Sequence, residues 1–346
     1  MASDLRAALI AAAGLWFCGC GTSGATALDA PVVQDARPFT DSTGASDAVT
    51  ADAPPDAAIA DTPADSPPIA SDAAVDLTVT PDASEDDSSA MRCNGHEALC
   101  DRRFDQVVFP AAHNAMSNAD DNWVFPDQTH PIARQLEDGI RGLLIDTYSY
   151  LGGSYLCHTS CLLGNKKLVD ALSDMVAFLK SHPNEVLMLD IEDHLAAADT
   201  EKAFMDSGLF AYVHVQAADA PWPTLRAMIA AGHRVVVGAE NGGPPPAWYH
   251  HFYDLAWDTP YTFKTPADFS CAQNRGLRTH ALFLLNHWLE NPVPDQTLSQ
   301  TANAHDLLLG RARQCQMESG KLPNFVAVNH YSVGDLFLVV RELNGV

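Results

Sequence analysis

The sequence predicts an α/β protein, a TIM-type β/α barrel that tolerates distortion, set behind an acidic N-terminal tether. Three observations lead there. Roughly 255 residues of globular composition, from about Met91 to the end, match the usual size of such a barrel. Short apolar runs alternate with helical patterns, the order that builds parallel sheets. Six of those runs end in ionisable or amide residues, as strands feeding one polar mouth would.

The chain has 346 residues and a formal charge of −24. More than half of that excess lies between Leu28 and Ala90, where thirteen aspartates and Glu85 face only Arg37. This stretch alternates Asp, Ala, Pro, Ser and Thr and has one aromatic residue, Phe39. It has too little apolar surface to offset its ordering entropy and should stay disordered, extended by self-repulsion. No basic cluster offers a nucleic-acid footprint, so nucleic acid is excluded as a partner.

Before that stretch, Met1–Arg6 leads into the apolar run Ala7–Phe17. Eleven apolar residues are too few to span a bilayer but suit a signal peptide. The run ends in Phe17-Cys18-Gly19-Cys20, which resembles a bacterial lipobox, with Cys20 the better acylation candidate after the small Gly19. A competing cut after Ala25-Thr26-Ala27 would release a soluble protein. The expected organisation is a signal peptide over 1–20, a disordered linker over 21–90 and a catalytic barrel over 91–346. The expected location is outside the cytoplasm, either as an envelope lipoprotein held by Cys20 or secreted.

Six further cysteines, Cys93, Cys100, Cys157, Cys161, Cys271 and Cys315, agree with export. Sequence alone does not choose among their fifteen pairings; closeness in the chain favours Cys93–Cys100 and Cys157–Cys161, leaving Cys271–Cys315. Zinc is the alternative, but no CxxC pair exists.

The strand candidates are Gln106–Ala112, Gly142–Ile145, Val186–Ile191, Arg234–Ala239, Ala281–Leu285 and Asn324–Val328. Between them, Leu168–Ser181 places Leu168, Leu172, Met175, Val176 and Leu179 on one helical face, and Trp222–Ala231 is a shorter helical pattern. Just past the strand ends stand His113-Asn114, Asp146, Glu192-Asp193, Glu240-Asn241, Asn286-His287 and Asn329-His330. In a parallel barrel these positions gather at one mouth. A doubly wound open sheet is the alternative, but no Gly-rich phosphate loop supports it.

The segment Phe109-Pro110-Ala111-Ala112-His113-Asn114-Ala115 resembles the first-strand motif of the phospholipase C X-box family. Gln135-Leu136-Glu137-Asp138-Gly139-Ile140-Arg141, Gly142–Asp146, Tyr155-Leu156-Cys157-His158 and Leu179–Glu192 follow in the family's order, so the resemblance covers most of residues 100–195. It implies a phosphodiesterase acting on phosphatidylinositol-type substrates at a membrane surface. His113 would be the general base and His158 the general acid, since two near-neutral imidazoles suit both proton transfers.

A developing phosphorane also needs fixed positive charge. Metal-independent relatives place an arginine where this chain has Asp146. The resemblance therefore implies a cation, Ca²⁺ with Mg²⁺ possible, on the hard donors Asn114, Asp146 and Glu192. Calcium-dependent relatives carry a further acid two residues before the aspartate, where this chain has Leu144.

Arg141, Glu240, Asn286 and His330 are further substrate-binding candidates, with Asn286, His287 or His330 able to orient His113. Asp335 is another, although Gly334-Asp335 also reads as a turn. Trp248–Phe252 is read either as packing or as a membrane-touching rim, and His214, His233 and His305 as structural. The expected enzyme is a monomer. Its rivals are a glycerophosphodiester phosphodiesterase, whose His-Arg-Gly opening is absent, and a non-catalytic lipid- or carbohydrate-binding barrel.

Overall fold

Period-2 alternation along buried strands sorts their side chains into two sets, and in this chain the two sets form two separate cores. The computed structural model describes residues 90–217 and 220–346. The expected signal peptide, Cys20 and the linker up to residue 89 lie outside the described residues.

The strands are β1 Phe109–Ala112, β2 Gly142–Tyr150, β3 Gly153–Leu156, β4 Lys166–Lys167, β5 Leu187–Asp193, β6 Val235–Ala239, β7 His250–His251, β8 Ala256–Asp258, β9 Leu282–Asn286 and β10 Phe325–Val328. Eight of them form a parallel sheet in the order β7-β6-β5-β2-β1-β10-β9-β8. Among the described residues no ladder joins β7 to β8, so the barrel is open there. The expected β/α barrel is observed, with that distortion. All six expected strands form, and β3, β4, β7 and β8 join them.

The helices are α1 Ile132–Asp138, α2 Leu168–Ser181, α3 Ala197–Ser207, α4 Leu225–Ala231, α5 Phe252–Leu255, α6 Gln296–Ala302, α7 His305–Ser319 and α8 Leu336–Asn344. The Leu168–Ser181 pattern is α2 residue for residue. The Trp222 pattern starts later, because Thr224 caps α4 by accepting from the Ala227 amide. No helix among the described residues is long and apolar enough to cross a membrane.

Val108, Ala112, Leu143, Ile145, Leu189, Val237, Leu285 and Val328 pack outward against helix residues such as Leu172, Met175 and Leu336. The alternate set, Phe109, Ala111, Met188, Val236, Leu284, Phe325 and Ala327, packs inside the barrel. Phe104 seals its lower end, with ring centroids 4.9 Å from Phe109 and 4.9 Å from Trp222. Burying each such ring contributes about 1.5–3 kcal/mol. Continuing upward, the inward column becomes polar: His113 after β1, Asp146 on β2, Asp190 and Glu192 on β5, and Asn286 on β9. The apolar floor thus lets the chain hold charged groups at the mouth.

Three disulfides form, Cys93–Cys100, Cys157–Cys161 and Cys271–Cys315, the pairing that chain proximity favours. Of the two readings of Trp248–Phe252, packing is the one observed. Trp248, Tyr249 and Phe252 are buried, with Trp248 packed 4.9 Å from Phe204.

Candidate active site

The backbone of His113 extends β1 by donating to the carbonyl of Val328, 3.0 Å away on β10. Asn114 then turns the chain with φ +45°, a left-handed conformation that asparagine tolerates. The imidazole lies flat on Trp288, centroids 3.7 Å apart and planes 9° off parallel. Its Nδ1 meets Asn329 Oδ1 at 2.7 Å. An amide oxygen only accepts, so this contact places the proton on Nδ1 and leaves the Nε2 lone pair free. Burial pushes the His113 pKa down to about 3; the Asn329 hydrogen bond opposes this, while His158 and Arg275 reinforce it. His113 is therefore a neutral imidazole at physiological pH.

His158 reaches the site by a different route. Strand β2 outruns the barrel, and its last four residues pair antiparallel with β3. The two-residue turn between them has positive φ at Leu151 and Gly152, the geometry that reverses a hairpin tightly. The returning chain brings the Cys157 amide to the Asp146 carbonyl at 3.3 Å, and the Cys157–Cys161 disulfide closes the loop around His158. His158 Nδ1 then contacts Asp146 Oδ2 at 3.0 Å. Burial alone would depress its pKa. The Asp146 hydrogen bond and the charges of Asp127, Asp146 and Glu290 outweigh that and raise it to about 9. The two histidines thus hold opposite protonation states.

The cavity at the mouth is lined by His113, Asn114, Asp146, Asp190, Glu192, Glu240, Tyr261, Arg275, Asn286 and Trp288, among others. The three expected cation donors share it. Asp146 and Glu192 are register partners on β2 and β5. Both also touch histidines, Asp146 touching His158 and Glu192 touching His194 at 2.9 Å. Among the described residues, a second group of donors is His113, Asp127 and Glu290, whose ligand atoms lie within 4.8 Å of one another. Asp127 is fully buried and burial lifts its pKa to about 7; burial also raises Glu290.

Of the expected substrate-binding residues, Glu240 and Asn286 line the cavity and Arg141 and His330 do not. Arg141 stands at the opposite end of β2, where its guanidinium meets Glu185 at 2.6 Å and the carbonyls of Leu136 and Ile140. His330 lies behind the site with Nδ1 3.1 Å from Ser299. His287 accompanies the Ala302 carbonyl and Arg311, so Asn329 is the residue that orients His113.

Sequence reasoning placed Asn329 at the mouth but gave it no role, and it did not find Trp288, Asp127, Glu290 or Arg275. Arg275 brings a guanidinium into the cavity, 2.7 Å from Glu240 and 2.7 Å from Asp258, with its carbon 4.4 Å from the Tyr253 ring centre.

Comparison with known proteins supplies context for this geometry. The family model described as PI-PLC X 1 matches residues 99–344. A PI-PLC X domain-containing protein 1 of Arthroderma benhamiae is 29% identical over 73% of this chain and 89% of its own. An uncharacterized secreted protein of the same fungus is 30% identical over 73% of this chain, which spans 64% of that relative's length. A solved phosphatidylinositol-specific phospholipase C of Staphylococcus aureus superposes with a TM-score of 0.48 at 12% identity, over 71% of this chain and 94% of its own.

Proposed function

Because this chain belongs to the PI-PLC X family, we propose that it is a phospholipase C-like phosphodiesterase that cleaves phosphatidylinositol-type phosphodiesters. The observation that carries this reading is the pair of held imidazoles at the barrel mouth, His113 bonded to Asn329 and His158 bonded to Asp146, whose surroundings push their pKa values in opposite directions. His113 Nε2 takes the proton of the inositol 2-hydroxyl as that oxygen attacks phosphorus. His158 gives its proton to the departing diacylglycerol oxygen. Asn329 and Trp288 hold the base in plane, and Asp146 holds the acid.

The donor set fits a hard divalent cation such as Ca²⁺ or Mg²⁺. Asn114, Asp146 and Glu192 all offer oxygen and line one cavity, and that cavity carries far more carboxylate than cationic charge. When bound there, such an ion would neutralise charge on the non-bridging phosphate oxygens. Asp146 commits Oδ2 to His158, leaving Oδ1 for the ion. Arg275, Glu240 and Asn286 would meet head-group hydroxyls. Three disulfides and a relative named as a secreted protein support export, with the chain either released or held at an envelope by Cys20; the enzyme would work at a membrane surface as a monomer.

The test is hydrolysis of phosphatidylinositol vesicles with and without EGTA, beside glycerophosphocholine. Chelator-sensitive cleavage of phosphatidylinositol alone is expected. Preference for glycerophosphocholine would favour a glycerophosphodiesterase, and cleavage of neither a binding barrel. Activity fully resistant to chelation would remove the cation.

A further inference from the structure

Five carboxylates stand on the barrel strands or directly after them around the mouth, and four of these have partners; Asp127 and Glu290, on loops, lie beside His113 instead. Arg275 pairs with Glu240 and Asp258, His158 with Asp146, and His194 with Glu192. The fifth, Asp190, is only 2% exposed, and neither of its oxygens has a hydrogen-bond partner. Its side chain nevertheless lines the same cavity as Asn114, Asp146 and Glu192. A lone buried carboxylate is strongly disfavoured and acquires a proton or a cation.

The strand register says which cation. Asp190 precedes Glu192 by two residues, so both side chains leave the same face of β5. Across the ladder Asp146 stands opposite Glu192, and Leu144 stands opposite Asp190. The four positions form a square of two strands and two levels, with oxygen donors at three corners and an apolar side chain at the fourth. We propose that Asp190 is a donor to the divalent cation, supplying from β5 the carboxylate that Leu144 lacks on β2. Together with Asn114, Asp146 and Glu192 it completes a four-residue, all-oxygen set, and the remaining positions fall to water or substrate. This inference rests on the cation assigned under the proposed function.

The experiment is calorimetric titration of the full chain with CaCl₂ alone, paired with thermal unfolding in EGTA and in Ca²⁺. Wild type is expected to bind one ion at the mouth, and Asp190→Asn to weaken it by about tenfold or more. Adding Leu144→Glu to Asp190→Asn should recover most of that loss by moving the carboxylate one strand over. In EGTA, Asp190→Asn should melt no lower than wild type, since it removes an unpaired buried charge, and it should gain less on adding Ca²⁺. Should Asp190→Asn fail to fold, Leu144→Glu alone should tighten Ca²⁺ binding, and unchanged or weaker binding there would overturn the proposal. Wild type that binds neither Ca²⁺ nor Mg²⁺ would sink the cation itself. Wild-type binding that Asp190→Asn leaves intact would overturn the Asp190 assignment alone.

Discussion

Replacing Asn329 with aspartate puts a carboxylate where an amide oxygen now accepts from His113 Nδ1 at 2.7 Å. An opposite charge at that range favours imidazolium by about 1–3 pKa units. Asp127, whose nearest oxygen is 3.7 Å from the same nitrogen, and Glu290 crowd the new charge and moderate its effect. About two units is therefore expected, equivalent to about 3 kcal/mol between the two protonation states. Starting from a pKa of about 3, His113 would then titrate near ~5. The assay is the pH dependence of kcat/KM on phosphatidylinositol vesicles. In Asn329→Asp the acid limb should move up by about two pH units while the alkaline limb stays in place. Asn329→Ala should instead lower kcat by about 10–100-fold without moving the acid limb so far, because Trp288 keeps the ring plane but nothing fixes its rotation. A folded Asn329→Asp enzyme with an unmoved acid limb would refute the orienting role and the protonation state derived from it.

The alkaline limb of wild type should fall near pH 9, where His158 loses its proton, and Asp146→Asn should bring that limb down. The same shift sets a stability trend. The contribution of His158 is fully present below its ordinary value of 6.5 and lost as pH rises through about 9, which denaturant titrations across pH would register. Converting Cys157 and Cys161 to serine together should cost kcat much more than melting temperature, since the closed loop is short and carries His158. An equal loss in both would assign the bridge to stability. Arg141→Ala should cost about 3–5 kcal/mol of stability, because it strands buried Glu185, and should leave kcat/KM of the folded enzyme near wild type. A kcat/KM loss in that folded variant would return Arg141 to the site.

Much of the barrel is written locally. An apolar run such as Leu187–Leu189 closing on Asp190, Glu192 and Asp193 signals a buried strand and its mouth end together, and His113 and His158 stand in short motifs. The hairpin that delivers His158 is less legible, because Tyr148–Tyr155 mixes polar residues with two glycines and shows no strand period. Strands β7 and β8 have two and three residues, too few to show a period. The remaining site residues come from loops: Asp127 between β1 and α1, Arg275 between β8 and β9, and Trp288 and Glu290 just after β9. No spacing along the chain marks them, since only closure of the barrel brings β1 beside β10. Asn329 had a signal one residue from His330: the inward face of β10 continues through Phe325 and Ala327 to 329, not 330. Asp190 had one too, as the sole charge inside an otherwise apolar run.

The most direct test of the two-histidine assignment is inositol phosphate release from phosphatidylinositol vesicles by His113→Ala and His158→Ala, each shown folded by circular dichroism. Each variant should lose about 10²–10⁴-fold in kcat, the range for removing a general acid or base. His158→Ala should recover the most on substrates with a leaving group that needs no proton. Folded variants that both cleave phosphatidylinositol at the wild-type rate would contradict the account.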